Sequence, residues 1–282
     1  MKRDRFIALP RSPIIRCALC LLLLLCAPGP IKAEPSPAAT AAFNAYIAVL
    51  ESRLSRQHES SDGFIAHVTS AAEADARLDR GELIIDKLTP SAAGDLPGAM
   101  LHHWRGTAFA PGVKAADFER LMKNFSAYSQ IYAPGVLQAK AVSQAGSPGD
   151  DRFRVWMRVR QHHVITVVMD TTYDVTFGRL DPGHGYSISR SIGISEIYSP
   201  GTKSERALSP SEEHGFLWRL NTYWSYEERD GGLYMQIETV SLTRSIPPGL
   251  GWAVRPFVES VPRESLESTL RSTCTALQGP SH

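Results

Sequence analysis

The chain has 282 residues, 43% hydrophobic and 21% charged, a balance that excludes disordered, collagenous and coiled-coil classes and leaves a globular protein able to bury a core. The formal charge of +1 is unevenly spread: residues 1–33 carry six Lys/Arg against one acid, and the remainder carries 24 basic and 28 acidic residues, which argues against nucleic acid as a partner. Prolines and glycines are scattered, with no low-complexity linker and no internal repeat to divide the chain.

Lys2, Arg3, Arg5, Arg11 and Arg16 precede an apolar stretch from Cys17 to Ala27, the order of a secretory signal. That stretch is too short to span a bilayer, which needs about 20 apolar residues. Pro28-Gly29-Pro30 interrupts it before Ile31-Lys32-Ala33, so cleavage is expected after Ala33 and the protein is expected to be exported, periplasmic or secreted. Lipid attachment at Cys26 is the competing reading, disfavoured by Leu25 where a small residue is wanted. Cleavage would remove Cys17, Cys20 and Cys26, leaving Cys274 and no intrachain disulfide. With no His or acid at helical spacing beside it, Cys274 reads as a packed helix residue, not a nucleophile.

Residues 40–58 read as an amphipathic helix through Phe43, Tyr46, Ile47, Leu50 and Leu54. Phe64–Val68 and Leu83–Leu88 read as short strands, with a short helix over Ala71–Arg80 between them. A strand is expected from Met100 to Ala110, closed by Pro111-Gly112; a helix follows with Phe118, Leu121, Met122 and Phe125 on one face, extended by a turn at Tyr128, Ile131 and Tyr132.

From Gly135 onward long strands alternate with period two. In the first clear hairpin a three-residue turn at Gln161-His162-His163 would pair Val159 with Ile165 and Met157 with Val167, and set Arg154 across from Asp170. The second turns at Arg229-Asp230-Gly231-Gly232, where Asp-Gly is a strong hairpin signal and a two- or a four-residue loop gives the same pairing. It sets Trp224 opposite Ile237, Tyr226 opposite Met235, Leu220 opposite Ser241 and Thr222 opposite Thr239. The other face of that hairpin carries Arg219, Asn221, Tyr223, Glu238 and Arg244, too polar for a second core unless something covers it, and residues 34–96 are expected to pack there or extend the sheet edge. The chain closes with a helix over Gly249–Leu277, striped by Leu250, Val254, Phe257, Val261, Leu270, Thr273 and Leu277 and expected to be kinked or in two parts at Pro256 and Pro262.

The order strand, two short helices, six more strands and long C-terminal helix, over residues 99–278, resembles the helix-grip fold of the START-like superfamily, which includes polyketide cyclases and coenzyme Q-binding proteins. The resemblance is carried by Phe118–Tyr132 with Pro134-Gly135-Val136, and by Gly249-Leu250-Gly251-Trp252 with Pro256-Phe257. His102-His103-Trp104-Arg105-Gly106, Asp170–Val175 and Phe216–Asn221 look like a group of exported bacterial proteins within it. The resemblance implies an α+β fold, a curved antiparallel sheet wrapped around the long helix with an elongated apolar cavity between them. Beside the signal peptide expected at 1–33, it leaves an N-terminal extension at 34–96 outside the usual pattern and implies a ligand-binding domain at 97–279.

The histidine pairs 102/103 and 162/163 invite a metal reading, but adjacent strand residues point to opposite faces, and no Cys partner or HExxH spacing supports it. No GxSxG occurs. Asp170 and Asp174 share a face, with a structural ion pair preferred to a catalytic carboxylate pair. Arg190 falls among Tyr186, Ile188, Ile192 and Ile194, so its charge needs a partner: a native carboxylate, or an anionic ligand head group. The expected function is an exported carrier of a hydrophobic small molecule (lipid, quinone or polyketide-like), with no cofactor, no metal and transient membrane contact. The expected cavity wall is Tyr173, Arg190, Trp218, Leu220, Thr222, Trp224, Met235, Ile237, Thr239 and Ser241. The alternatives are a cyclase or dehydratase using Arg190, Tyr173 or a histidine as acid or base, and a non-catalytic envelope scaffold.

Overall fold

A computed structural model describes residues 34–89, 95–145, 151–162, 166–246 and 251–279, with side chains in the last stretch from residue 260. The expected signal, its three cysteines, Gly249, Leu250 and the side chains of Trp252, Val254 and Phe257 lie outside the described residues.

Helix α1, Pro37–Gln57, starts where the Ser36 hydroxyl accepts from the Ala39 amide at 3.1 Å and Pro37 takes the first turn. It buries Ala39, Phe43, Ile47, Leu50 and Leu54 at three- and four-residue spacings. Helix α2 is Ala71–Leu78, followed by β1 (Ile84–Lys87), β2 (Asp95–Leu96) and β3 (Ala99–Pro111). After α3 (Ala115–Lys123), a 3₁₀ turn (Phe125–Ala127) and α4 (Tyr128–Ile131) come β4 (Val136–Ala145), β5 (Arg152–His162), β6 (Thr166–Asp181), β7 (His184–Tyr198), β8 (Arg206–Ala207), β9 (Arg219–Arg229) and β10 (Gly232–Arg244), then α5 (Gly251–Gln278).

The described strands form one antiparallel sheet in the order β1-β3-β10-β9-β7-β6-β5-β4, with β2 on β3 and β8 on β7. Helices α3, α4 and α5 cover one face, here the inner face, as Phe118, Met122, Tyr128, Leu266 and Leu270 pack on Trp104, Tyr173, Val175, Phe177, Trp224, Met235 and Ile237. An open, curved sheet gripping a long C-terminal helix is the expected α+β helix-grip arrangement. The close approach is marked by Gly106, where a Cβ would stand 2.5 Å from Leu270 Cδ1.

The outer face is covered too. Phe43, Ile47, Leu50 and Leu54 of α1 pack on Leu101, Trp218, Tyr223, Val240 and Leu242, and β1 and β2 extend the β3 edge. The N-terminal segment therefore does both things expected of it, and β10 is buried on both faces.

The second hairpin has the expected register at all four named pairs. Asp230 and Gly231 both take positive φ, 53° and 76°, so the two-residue turn carries the twist that a right-handed ribbon needs. The first hairpin differs. Its register pairs Val159 with Met169, Arg158 with Asp170 and Arg154 with Asp174. A three-residue connection is retained but moved two residues along, to 163–165, outside the described residues. An even shift keeps every side chain on its face, so the apolar pattern could not detect it. Phe64–Val68 is not a strand: after a turn with Gly63 at φ 75°, Ala66 exchanges both backbone hydrogen bonds with the Gln236 amide, at 3.1 and 2.6 Å, in place of a neighbouring strand. Helix α5 runs unbroken through Pro256 and Pro262 rather than in two parts.

Candidate functional site

Register fixes what shares the inner wall. Trp104, Thr239, Thr222 and Ser189 stand directly opposite one another across β3, β10, β9 and β7. At about 4.8 Å per strand this row is about 15 Å long. One row toward the hairpin turn lie Gly106, Ile237, Trp224 and Ser187; one row the other way lie His102, Ser241 and Leu220.

The wall divides into a filled and an open part. Phe118 of α3 packs edge-on against Trp224 at 5.3 Å and at a tilt against Tyr226 at 4.8 Å, and Trp224, Met235 and Ile237 are buried. Leu220, Thr222, Thr239 and Ser189 are only half-buried. The open part, half-buried in this sense, pairs apolar Leu220 with the hydroxyls of Thr222, Thr239 and Ser189. The sequence-derived wall thus comes together for Leu220, Thr222, Trp224, Met235, Ile237, Thr239 and Ser241.

Tyr173 also belongs to the inner core. Burial, partly countered by a hydrogen bond with Thr171, pushes its phenol up to about 12, so it is held neutral and unsuited to act as a base near neutrality. Burial likewise pushes the Cys274 thiol up to about 11, as fits a packed helix residue. His102 faces inward, its Nε2 3.3 Å from Thr243 Oγ1, while His103 faces outward.

Two expected wall residues lie elsewhere. Trp218 belongs to the outer core with α1. Arg190 opposes Asn221 on the outer face, where Nε and Nη2 donate to the two Glu51 oxygens at 2.7 and 2.8 Å. The native carboxylate is its partner, so Arg190 is withdrawn from the cavity wall. A bulge leaves Ile192 unpaired between Ser191 and Gly193, so β7 changes faces there and the shared face read from the sequence stops at that point.

Sequence reasoning missed the polar layer between α1 and the sheet. Buried Glu238 accepts from Arg53 Nη2 at 2.5 Å, His103 Nε2 at 2.9 Å and Arg105 Nη2 at 3.0 Å. The Tyr46 hydroxyl reaches His103 Nδ1 at 2.8 Å. One neutral tautomer serves both contacts, Nε2–H donating to the carboxylate and Nδ1 accepting from the phenol. Its partners are 57 and 135 residues from His103 in sequence, a separation that no local pattern signals.

Two surface clefts of about 400 Å³ lie elsewhere. One is ionic, and its acids already face bases: Glu119 meets Lys123 and Arg179, and Asp151 meets Lys123. The other lies beside Cys274, Arg271 and Phe109. Among the described residues no group of three His, Cys, Asp or Glu is placed to hold a metal ion, and no helix is long and apolar enough to cross a membrane.

No family model and no curated protein matches the sequence. Similar solved structures are found at low identity. It is similar to a protein of Thermus thermophilus, at 15% identity over 63% of this chain and 98% of that one, with a TM-score of 0.45. A STAR-related lipid transfer protein of Xanthomonas axonopodis matches at 16% identity over 66% and 96%, with a TM-score of 0.43. The Zhui aromatase/cyclase of a Streptomyces species matches at 12% identity over 63% and 94%, with a TM-score of 0.42. The helix grip itself stands on the strand order and the seat of α5 described above.

Proposed function

We propose that this chain is an exported carrier that holds a hydrophobic small molecule with a few oxygens against the open part of the inner wall. The observation that supports it is the half-buried row of Thr239, Thr222 and Ser189 beside Leu220, continuous with the apolar floor of Trp224 and Ile237. Such a wall suits an apolar body, and its hydroxyls favour oxygen over pure hydrocarbon. Residues 1–33 serve in this reading as the export signal, so the mature chain begins at Glu34; N-terminal sequencing of the exported protein checks that start.

Native mass spectrometry of protein purified from its own host tests the cargo: a co-purifying lipid or quinone mass supports the carrier, and conversion of a bound species would make it an enzyme instead. Thr222→Trp places a large ring in the centre of the row. It is expected to fold, strained by about 1–3 kcal/mol, and to lose most of its uptake of a fluorescent quinone or lipid probe. Unchanged uptake by the folded variant places the site elsewhere.

A further inference from the structure

Trp104 Nε1 is the buried side-chain polar atom left without a hydrogen-bond partner among the described residues. An indole N–H only donates, and native structures rarely leave such a group unmet without a ligand or a trapped water. Trp104 is 8% exposed and begins the row that continues through Thr239 and Thr222. Among the described residues neither threonine hydroxyl makes a side-chain hydrogen bond. The same row thus holds one orphaned donor and two hydroxyls able to donate or accept.

Charge narrows the guest. The three inner-wall rows across β3, β10 and β9 contain no Lys, Arg, Asp or Glu. The charge beside them, Lys87 on edge strand β1, lies 6.0 Å over the Trp104 ring and is already engaged. Among the described residues the row's cation, Lys87 opposite Trp104, is already engaged, so a carboxylate placed beside Thr239 and Thr222 would be desolvated without a dedicated counter-charge. A neutral oxygen has no such penalty and accepts the indole proton directly.

We propose that Trp104 Nε1–H donates to an uncharged acceptor oxygen of the ligand, a ketone, quinone or ester carbonyl, with Thr239 and Thr222 meeting further oxygens along the row. The site then selects neutral oxygenated molecules over fatty carboxylates of equal length. This rests on the carrier reading, and the test separates the two.

The mature protein, with ¹⁵N in its indoles, is titrated with 2-decanone and with decanoate, and the Trp104 resonance is identified by its loss in Trp104→Phe. The ketone is expected to move that resonance downfield and to bind more tightly than decanoate. Loss of one neutral hydrogen bond should weaken ketone binding to Trp104→Phe by about three- to tenfold. Thr239→Val, nearly isosteric, provides a second variant with a smaller loss should the first fail to fold. Ketone binding with an unmoved indole resonance and unchanged affinity in the variants overturns the assignment and leaves the carrier intact. So does preference for decanoate, or an indole proton still bonded to a trapped water in the loaded protein. If neither probe binds, the carrier reading falls and this assignment with it.

Discussion

His58 caps the end of α1 and is 8% exposed. Its ring stacks on Tyr186 at 4.4 Å, and its Nε2 lies 2.7 Å from Ser225 Oγ. Burial, reinforced by the charge of Arg53, lowers its pKa from 6.5 to about 4. The unfolded chain therefore takes up this proton at higher pH than the folded one, so the contribution is complete above pH 6.5 and is lost as pH falls toward 4. Glu238 acts lower: burial alone would raise its pKa, but the His103 hydrogen bond and the charges of Arg105 and Arg53 hold it at about 2 against an ordinary 4.5. Its contribution is present above 4.5 and lost as pH falls toward 2. Melting temperatures between pH 6.5 and 5 should thus fall in the wild type and fall less steeply in His58→Gln. Parallel curves would show that His58 does not carry this acid sensitivity.

At the scale of elements, legibility followed how tightly each turn is specified. Asp230-Gly231 admits one conformation and pins the whole β9–β10 register, and with it the Thr222–Thr239 pair at the centre of the site. The β5–β6 connection has no Gly, Asn or Pro to pin it, and the charged face offers Arg154 and Arg158 against Asp170 and Asp174 in more than one arrangement. The structure resolves the choice through Arg158, which forks onto Asp170 at 2.7 and 2.9 Å and also reaches Glu205 at 2.6 Å. β7 misled where its bulge at Ile192 breaks period two, and Arg190 needed a partner 139 residues away. A double-mutant cycle checks the register: Arg158→Ala with Asp170→Ala should couple by about 0.2–1 kcal/mol, whereas Arg154→Ala with Asp170→Ala should be additive. Coupling only in the second pair would restore the register expected from sequence.

At the scale of the whole molecule, the sheet's two faces answer to different parts of the chain. The inner face seats α3, α4 and α5; the outer face is closed by α1 through an apolar contact and the polar layer around Glu238 and Glu51. Because β9 and β10 are buried on both sides for much of their length, stripping α1 away would expose Tyr223, Val240 and Leu242 together with Glu238, and leave the Arg105 and Arg190 cations facing water. The first segment should therefore stabilise the sheet itself, not hang from it. Leu54, 2% exposed in the contact, tests this. Leu54→Ala is expected to lower the free energy of unfolding by about 2–5 kcal/mol, in one cooperative transition that follows far-UV circular dichroism and tryptophan fluorescence alike, because Trp218 and Trp224 report from opposite faces of the same sheet. If instead the variant sheds residues before Pro97 to protease while the sheet keeps its original transition, α1 is an appendage and the outer face tolerates exposure.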